Sequence, residues 1–437
     1  MGGAMSETAV GLIGLLVLIA GLFSRMPVGF VMAFVGTAGF AYLVSWESAF
    51  HVLAKDFFGI FSSYSLAVVP LFILMGQITF HAGISRRLFD TAYKLVGHLP
   101  GGLAMATIGA CAGFAAICGS TNAAAATMAT VAIPEMKRYK YSLELATGTV
   151  AAGGSLGILI PPSVVFIIYG ILTEQSIGRL FVAGIAPGIL LSILFIATIL
   201  FLVNRRPEIA PAGTRTTSME KFRSIFGVWE TLVLFILVMG GLFAGLFTPS
   251  EAGAIGAGGS ILLGWLRKRL SWNSLKQSLI ESARISCMVL VIVAGAVIFG
   301  RFLAASGMPD ALANWMSDLP FPSYAVMGLI ILIYLMGGCF IDGLALILLT
   351  IPIFYPVVIK MGYDPIWFGV IIVLVGMMGA ITPPVGINVY VVNGVVKDVP
   401  LETIFKGALP FLVALVICAL ILIPFPQIAL FLPSLMK

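Results

Sequence analysis

The chain reads as long apolar blocks separated by short polar joints, a pattern that predicts membrane-crossing helices rather than alternating strands. Apolar runs fall at about 10 to 24, 27 to 44, 57 to 80, 142 to 172 and 181 to 203. A second series follows at about 228 to 247, 250 to 266, 285 to 304, 364 to 396 and 408 to 432. Between the third and fourth members of each series lies an apolar stretch of another kind. Residues 101–135 are broken at Gly119-Ser120-Thr121-Asn122, and residues 322–354 around Gly337-Gly338-Cys339-Phe340-Ile341-Asp342-Gly343. Each arm is about 15 residues, or roughly 22 Å of helix, against a hydrocarbon core of about 30 Å. That length predicts re-entrant hairpins, started by Leu99-Pro100 and Leu319-Pro320 and ended with the help of Pro134 and Pro352.

The fourth run of each series carries a proline pair, Pro161-Pro162 and Pro383-Pro384, 222 residues apart. Proline lacks an N–H and clashes with the carbonyl four residues back, so each pair predicts a broken helix. Carbonyls released in an apolar medium need new partners, and irregular backbone survives there only when packed in protein or lining a cavity. Gly154 and Gly157 match Gly376 and Gly379 at the same spacing, Pro27 matches Pro249, and Gly76-Gln77 matches Gly300-Arg301. Gly83 matches Gly307, and Gly184 with Pro187 matches Gly407 with Pro410. The chain is therefore expected to be an internal duplication, residues 1–203 and 225–437, joined by the polar linker 204–224.

Five crossings and one non-crossing hairpin per half is an odd count, which predicts inverted repeats. With the linker cytoplasmic, all of the 24 Lys and Arg except Lys55, Arg179, Arg301, Lys360 and Lys437 fall on the cytoplasmic side, as the positive-inside rule requires. Both termini then face the periplasm, the first hairpin enters from the cytoplasm and the second from outside. The fold class expected is an all-α polytopic membrane protein of inverted repeats, with the architecture of an elevator-type ion transporter.

Composition agrees: 60% of residues are hydrophobic and 10% charged, with a mean hydropathy of +1.12. That excludes a soluble domain, and continuous runs of helix-spanning length exclude an outer-membrane barrel. The net charge of +6 sits in short loops, so it reports topology and contact with membrane lipid rather than nucleic acid. Residues 1–9 contain no basic segment, so no cleavable leader is expected. The cysteines and histidines show no paired spacing for a transition metal, and no catalytic constellation points to an enzyme.

Helix N-termini at the breaks offer N–H groups to an anion, and carbonyl ends offer oxygen to a small cation. One candidate site combines Gly119, Ser120, Thr121 and Asn122 with Ser155, Gly157 and Ser163. Its counterpart combines Gly338, Asp342 and Gly343 with Gly379, Thr382, Gly386 and Asn388. Such hard oxygen donors suit Na⁺, although the same small residues also serve as helix caps. Asp342 is either a cation or substrate ligand or the cap of the returning arm. Arg301 offers a planar fork to a carboxylate, or else reaches to the outer interface.

Taken together, Gly119-Ser120-Thr121-Asn122 through Pro134-Glu135-Met136, Gly157 through Pro161-Pro162-Ser163, Phe340-Ile341-Asp342-Gly343, Thr382-Pro383-Pro384-Val385-Gly386 and Asn388 resemble the large membrane subunit of tripartite ATP-independent periplasmic (TRAP) transporters. The resemblance implies elevator-type import of an organic anion, such as a C4-dicarboxylate or sialic acid, across a bacterial inner membrane. It also implies Na⁺ as coupling ion with no organic cofactor. The implied partners are a soluble periplasmic substrate-binding protein and a separate small four-helix membrane subunit. The alternatives are a binding-protein-independent Na⁺/carboxylate symporter and an anion channel.

Overall fold

The computed structural model describes residues 6–22, 24, 26–213, 216–318 and 322–436; Leu319, Pro320, Lys437 and residues 1–5, all used above, lie outside them. Among the described residues every regular element is a helix. Among the described residues five helices are long and apolar enough to cross a membrane, or six when the bent pair Trp46–Ser62 and Ser65–His81 counts as one span.

The two halves repeat one order of elements. Glu7–Leu22 and Val28–Leu43 correspond to Trp229–Phe243 and Pro249–Leu266. The hairpin Gly102–Cys118 and Thr121–Arg138 corresponds to Ser323–Gly338 and Gly343–Lys360. The broken helix Leu143–Ser155 and Val164–Leu172 corresponds to Pro365–Ile381 and Ile387–Val395, and Ile177–Arg205 to Leu401–Leu422.

The third element differs from the expectation and between the halves. In place of one span over 57–80 the chain forms two helices bent by 56° at Ser63-Tyr64. Pro70 sits in the first turn of Val68–His81, where a missing N–H is harmless and a helix start is favoured. The second half has Ala294 at the equivalent position, and Trp272–Ala305 runs unbroken for 34 residues, about 51 Å. Trp46–Ser62, Ile84–Val96 and Met308–Asp318 were not anticipated, because their mixed polar and apolar faces depress average hydropathy.

In each half two successive helices lie side by side as a hairpin. In the first, Leu103 N–H donates to the Tyr141 hydroxyl (3.2 Å), placing the hairpin's beginning beside its end. In the second, the Thr350 hydroxyl bonds that of Tyr334 (2.5 Å) across the arms, and Tyr334 and Phe354 rings meet at 5.9 Å. Pro134 and Pro352 do not end the arms; they lie inside Thr121–Arg138 and Gly343–Lys360, as does Pro356. Packing against neighbouring helices lets an embedded helix absorb the lost bond.

The linker lies across the base of the first hairpin. Ala210 carbonyl accepts from Gly101 N–H (3.1 Å), Ile209 carbonyl from Ser142 N–H (2.8 Å), and Gly97 carbonyl from Gly213 N–H (2.9 Å). On the other side, Val28–Leu43 packs backbone to backbone on Trp272–Ala305. A Cβ added at Gly29 would lie 2.8 Å from Ile292 Cα, and one at Gly295 would lie 2.1 Å from the Gly29 carbonyl oxygen. These two closely packed helices form a wall that lines one cavity with the hairpin tips.

Candidate functional site

Each proline pair breaks its helix and reopens it with a new N-terminus. After Leu143–Ser155 the chain tightens through Leu156–Ile158, and Ser163 caps Val164–Leu172 by accepting from Phe166 N–H (3.4 Å). In the second break Thr382 ends one helix and Gly386, at φ +55°, begins the next. Glycine is favoured there because a Cβ disfavours the left-handed region.

Each hairpin tip docks on the break of its own half, through equivalent contacts. A Cβ at Gly157 would lie 2.6 Å from the Ser120 carbonyl oxygen, and one at Gly379 would lie 2.3 Å from the Gly338 carbonyl carbon. Three residues earlier, Gly154 faces Ala125 and Gly376 faces Gly343. Val385 N–H also donates to the Cys339 carbonyl (3.3 Å). The breaks of the two halves meet in turn: Asn388 Nδ2 donates to the Ala151 carbonyl (3.1 Å).

Around these contacts lies a cavity of about 670 Å³. Gly119, Ser120, Thr121 and Asn122 line it from the first tip, and Asp342 and Gly343 from the second. The wall supplies Val28, Phe30 and the stripe Ile285, Met288, Val289 and Ile292, at helical spacing. Ser120 caps Thr121–Arg138, and Asp342 caps Gly343–Lys360 by accepting from Leu344 N–H (3.0 Å). The rest of the Asp342 carboxylate faces the cavity. Two helix N-termini thus open on one space, a geometry that favours negative charge.

Residues 15–428 match the family described as tripartite ATP-independent periplasmic transporter, DctM component. The chain belongs to that family. This permease is 35% identical to the C4-dicarboxylate TRAP transporter large permease protein DctM of Pseudomonas aeruginosa, over 87% of this chain and 89% of the relative. It is 36% identical to the sialic acid TRAP transporter large permease protein SiaM of Vibrio cholerae, over 95% and 96% respectively. In fold it is similar to the Alcanivorax borkumensis YdaH transporter, with TM-score 0.63 at 16% identity over 89% of this chain and 91% of that one. It is thus a transporter subunit that passes several times through the inner membrane.

Of the residues singled out from sequence, the permease brings Gly119, Ser120, Thr121, Asn122, Asp342 and Gly343 to one cavity. Gly157, Gly338 and Gly379 form the tip contacts behind it. Ser155 and Ser163 are fully buried, Ser155 donating to the Ala152 carbonyl (2.6 Å); Thr382 donates to the Met378 carbonyl (2.6 Å). Asn388 is fully buried and its Oδ1 has no hydrogen-bond partner. Arg301 is not brought to the cavity. It lies nine residues beyond Ile292, about 14 Å along the helix, and its Nε pairs with the Asp56 carboxylate (3.3 Å). That pairing explains a charged side chain there without any anion. Gln77, its counterpart in the first half, does line the cavity, as do the wall residues, none of which was selected from sequence. The spacing of Ile285, Met288, Val289 and Ile292 was the available signal.

Proposed function

We propose that this permease imports a small organic carboxylate by Na⁺ symport, by an elevator movement of its hairpins and broken helices against the wall of Val28–Leu43 and Trp272–Ala305. The observation that carries the reading is the convergence of both hairpin tips, each seated on the break of its own half, on one cavity. The cargo carboxylate would take hydrogen bonds from Ser120, Thr121 and Asn122 and from the N-terminal amides of Thr121–Arg138. Na⁺ would be held by carbonyls at the Ser120/Gly157 and Gly338/Gly379 contacts, by Asp342, and by the unpartnered Asn388 Oδ1. Hard oxygens of this kind suit Na⁺, which is cargo here. Each positive charge moved inward gains about 2.3 kcal/mol per 100 mV, so more than one Na⁺ per monoanion makes import electrogenic.

The relatives' names support a carboxylate cargo, since C4-dicarboxylates and sialic acid share that group. Membership of the family supports two partners, a periplasmic binding protein that delivers the cargo and a small membrane subunit. The repeated contacts support two related halves, and the distribution of Lys and Arg supports their inversion, with the termini periplasmic and the linker cytoplasmic. Uptake by proteoliposomes holding the permease and small subunit is the test, with binding protein and Na⁺ each present or omitted. Uptake that needs both agrees with the proposal. Uptake without binding protein favours a self-sufficient symporter, and uptake unchanged when K⁺ replaces Na⁺ contradicts the coupling.

A further inference from the structure

The lining of the cavity carries an inference that rests on the transport reading and narrows its cargo. Among the described residues that line the cavity, none is a lysine, arginine or histidine, and Asp342 is the only formally charged side chain. Arg301 is held away by Asp56, and Arg284, exposed at the start of the apolar stripe, is not part of the lining. The polar side chains of the lining are Gln77, those of the first tip (Ser120, Thr121 and Asn122) and Asp342 of the second, while the wall contributes the apolar stripe Ile285, Met288, Val289 and Ile292.

We infer that the cargo is an organic monoanion with a branched aliphatic or aromatic body. Its carboxylate sits among neutral donors at the hairpin tips, and its body lies on the Ile285, Met288, Val289 and Ile292 stripe. A second carboxylate lying on that wall would meet neither a cationic side chain nor a hydrogen-bond donor, in a space that already holds Asp342, and buried unpaired charge is strongly disfavoured. A polyhydroxylated body would leave hydroxyls unsatisfied there for the same reason. A cavity of about 670 Å³ accommodates a body much larger than a four-carbon chain.

The test is titration calorimetry of the permease together with its small membrane subunit in lipid nanodiscs at saturating Na⁺, with 4-methyl-2-oxopentanoate, succinate and N-acetylneuraminate as probes. The branched monoanion is expected to bind at least about 10-fold more tightly than either other probe. Ile285→Ser should weaken it about 3- to 10-fold, Ile292→Arg should tighten succinate about 10-fold, and Arg284→Gln should leave the order unchanged. If Ile292→Arg fails to fold, the wild-type order and Ile285→Ser still decide. Succinate or N-acetylneuraminate binding as tightly as the branched acid overturns the inference and leaves Na⁺-coupled carboxylate transport standing. Absence of Na⁺-dependent binding for all three probes overturns both.

Discussion

Gly379→Ala is the sharpest perturbation of the second tip. The added Cβ would stand 2.3 Å from the Gly338 carbonyl carbon and 2.5 Å from its Cα and oxygen, all backbone atoms. No rotamer change relieves that clash. Ordinary contact begins near 3.4 Å, so the tip must withdraw by about 1 Å, carrying Asp342 with it. Overpacking of this kind costs about 1–3 kcal/mol, which depopulates the docked tip about 5- to 150-fold. The assay is the initial rate of Na⁺-driven uptake in proteoliposomes, with yield and gel-filtration profile confirming folded protein. Gly157→Ala, with a clash of 2.6 Å against the Ser120 carbonyl, should behave alike in the first half. Gly258→Ala is the control, since nothing lies within 4 Å of its Cβ and alanine favours a helix by about 0.5–1 kcal/mol. A Gly379→Ala protein that transports at the wild-type rate would refute the reasoning.

Three further outcomes are expected. Arg301→Ala should leave the apparent KM for cargo unchanged while lowering thermal stability by about 1–3 kcal/mol, because Asp56, only 10% exposed, loses its partner; a large rise in KM would restore Arg301 as a cargo ligand. Asn388→Ala should raise the Na⁺ concentration needed for half-maximal uptake, and an unchanged Na⁺ curve removes Oδ1 from the ligand set. The hydrogen bond from Lys137 (2.6 Å) holds the Asp398 carboxyl below the usual carboxylate range and ties the first hairpin to the loop after the second break. A depressed carboxyl pKa contributes above its unfolded value and is lost as pH falls through the folded one. Amide protection in residues 396–399, taken relative to the intrinsic exchange rate at each pH, should therefore hold down to about pH 4 and fall below it, whereas in Lys137→Gln protection should be lower throughout and depend little on pH.

Much of the site could be read from sequence because its features are local. Two adjacent prolines break a helix whatever surrounds them, and Gly119-Ser120-Thr121-Asn122 carries both a left-handed turn and a cap, as the φ of +63° at Gly119 and the Ser120 cap show. The repeat spacing that aligned Gly157 with Gly379 reappears as matching tip contacts. What sequence did not reveal depends on direction and partners. Arg301 looked like a free cation until Asp56, 245 positions away in the chain, came beside it. The wall stripe on Trp272–Ala305 looked like any membrane helix, since apolar residues facing lipid and facing a cavity have the same composition. Pro134 and Pro352 looked like terminators because tertiary packing that tolerates them leaves no local mark.

The central claim is that cargo and Na⁺ occupy the space between the hairpin tips and the wall. Cys287 lines that space and is exposed, whereas Cys111, Cys118, Cys339 and Cys418 are buried. The alkylation rate of Cys287 by a small maleimide, measured with and without Na⁺ and carboxylate cargo, therefore reads occupancy directly in the unmodified permease. Slowing of several-fold that requires both Na⁺ and cargo is the expected result; a rate indifferent to both would contradict the account.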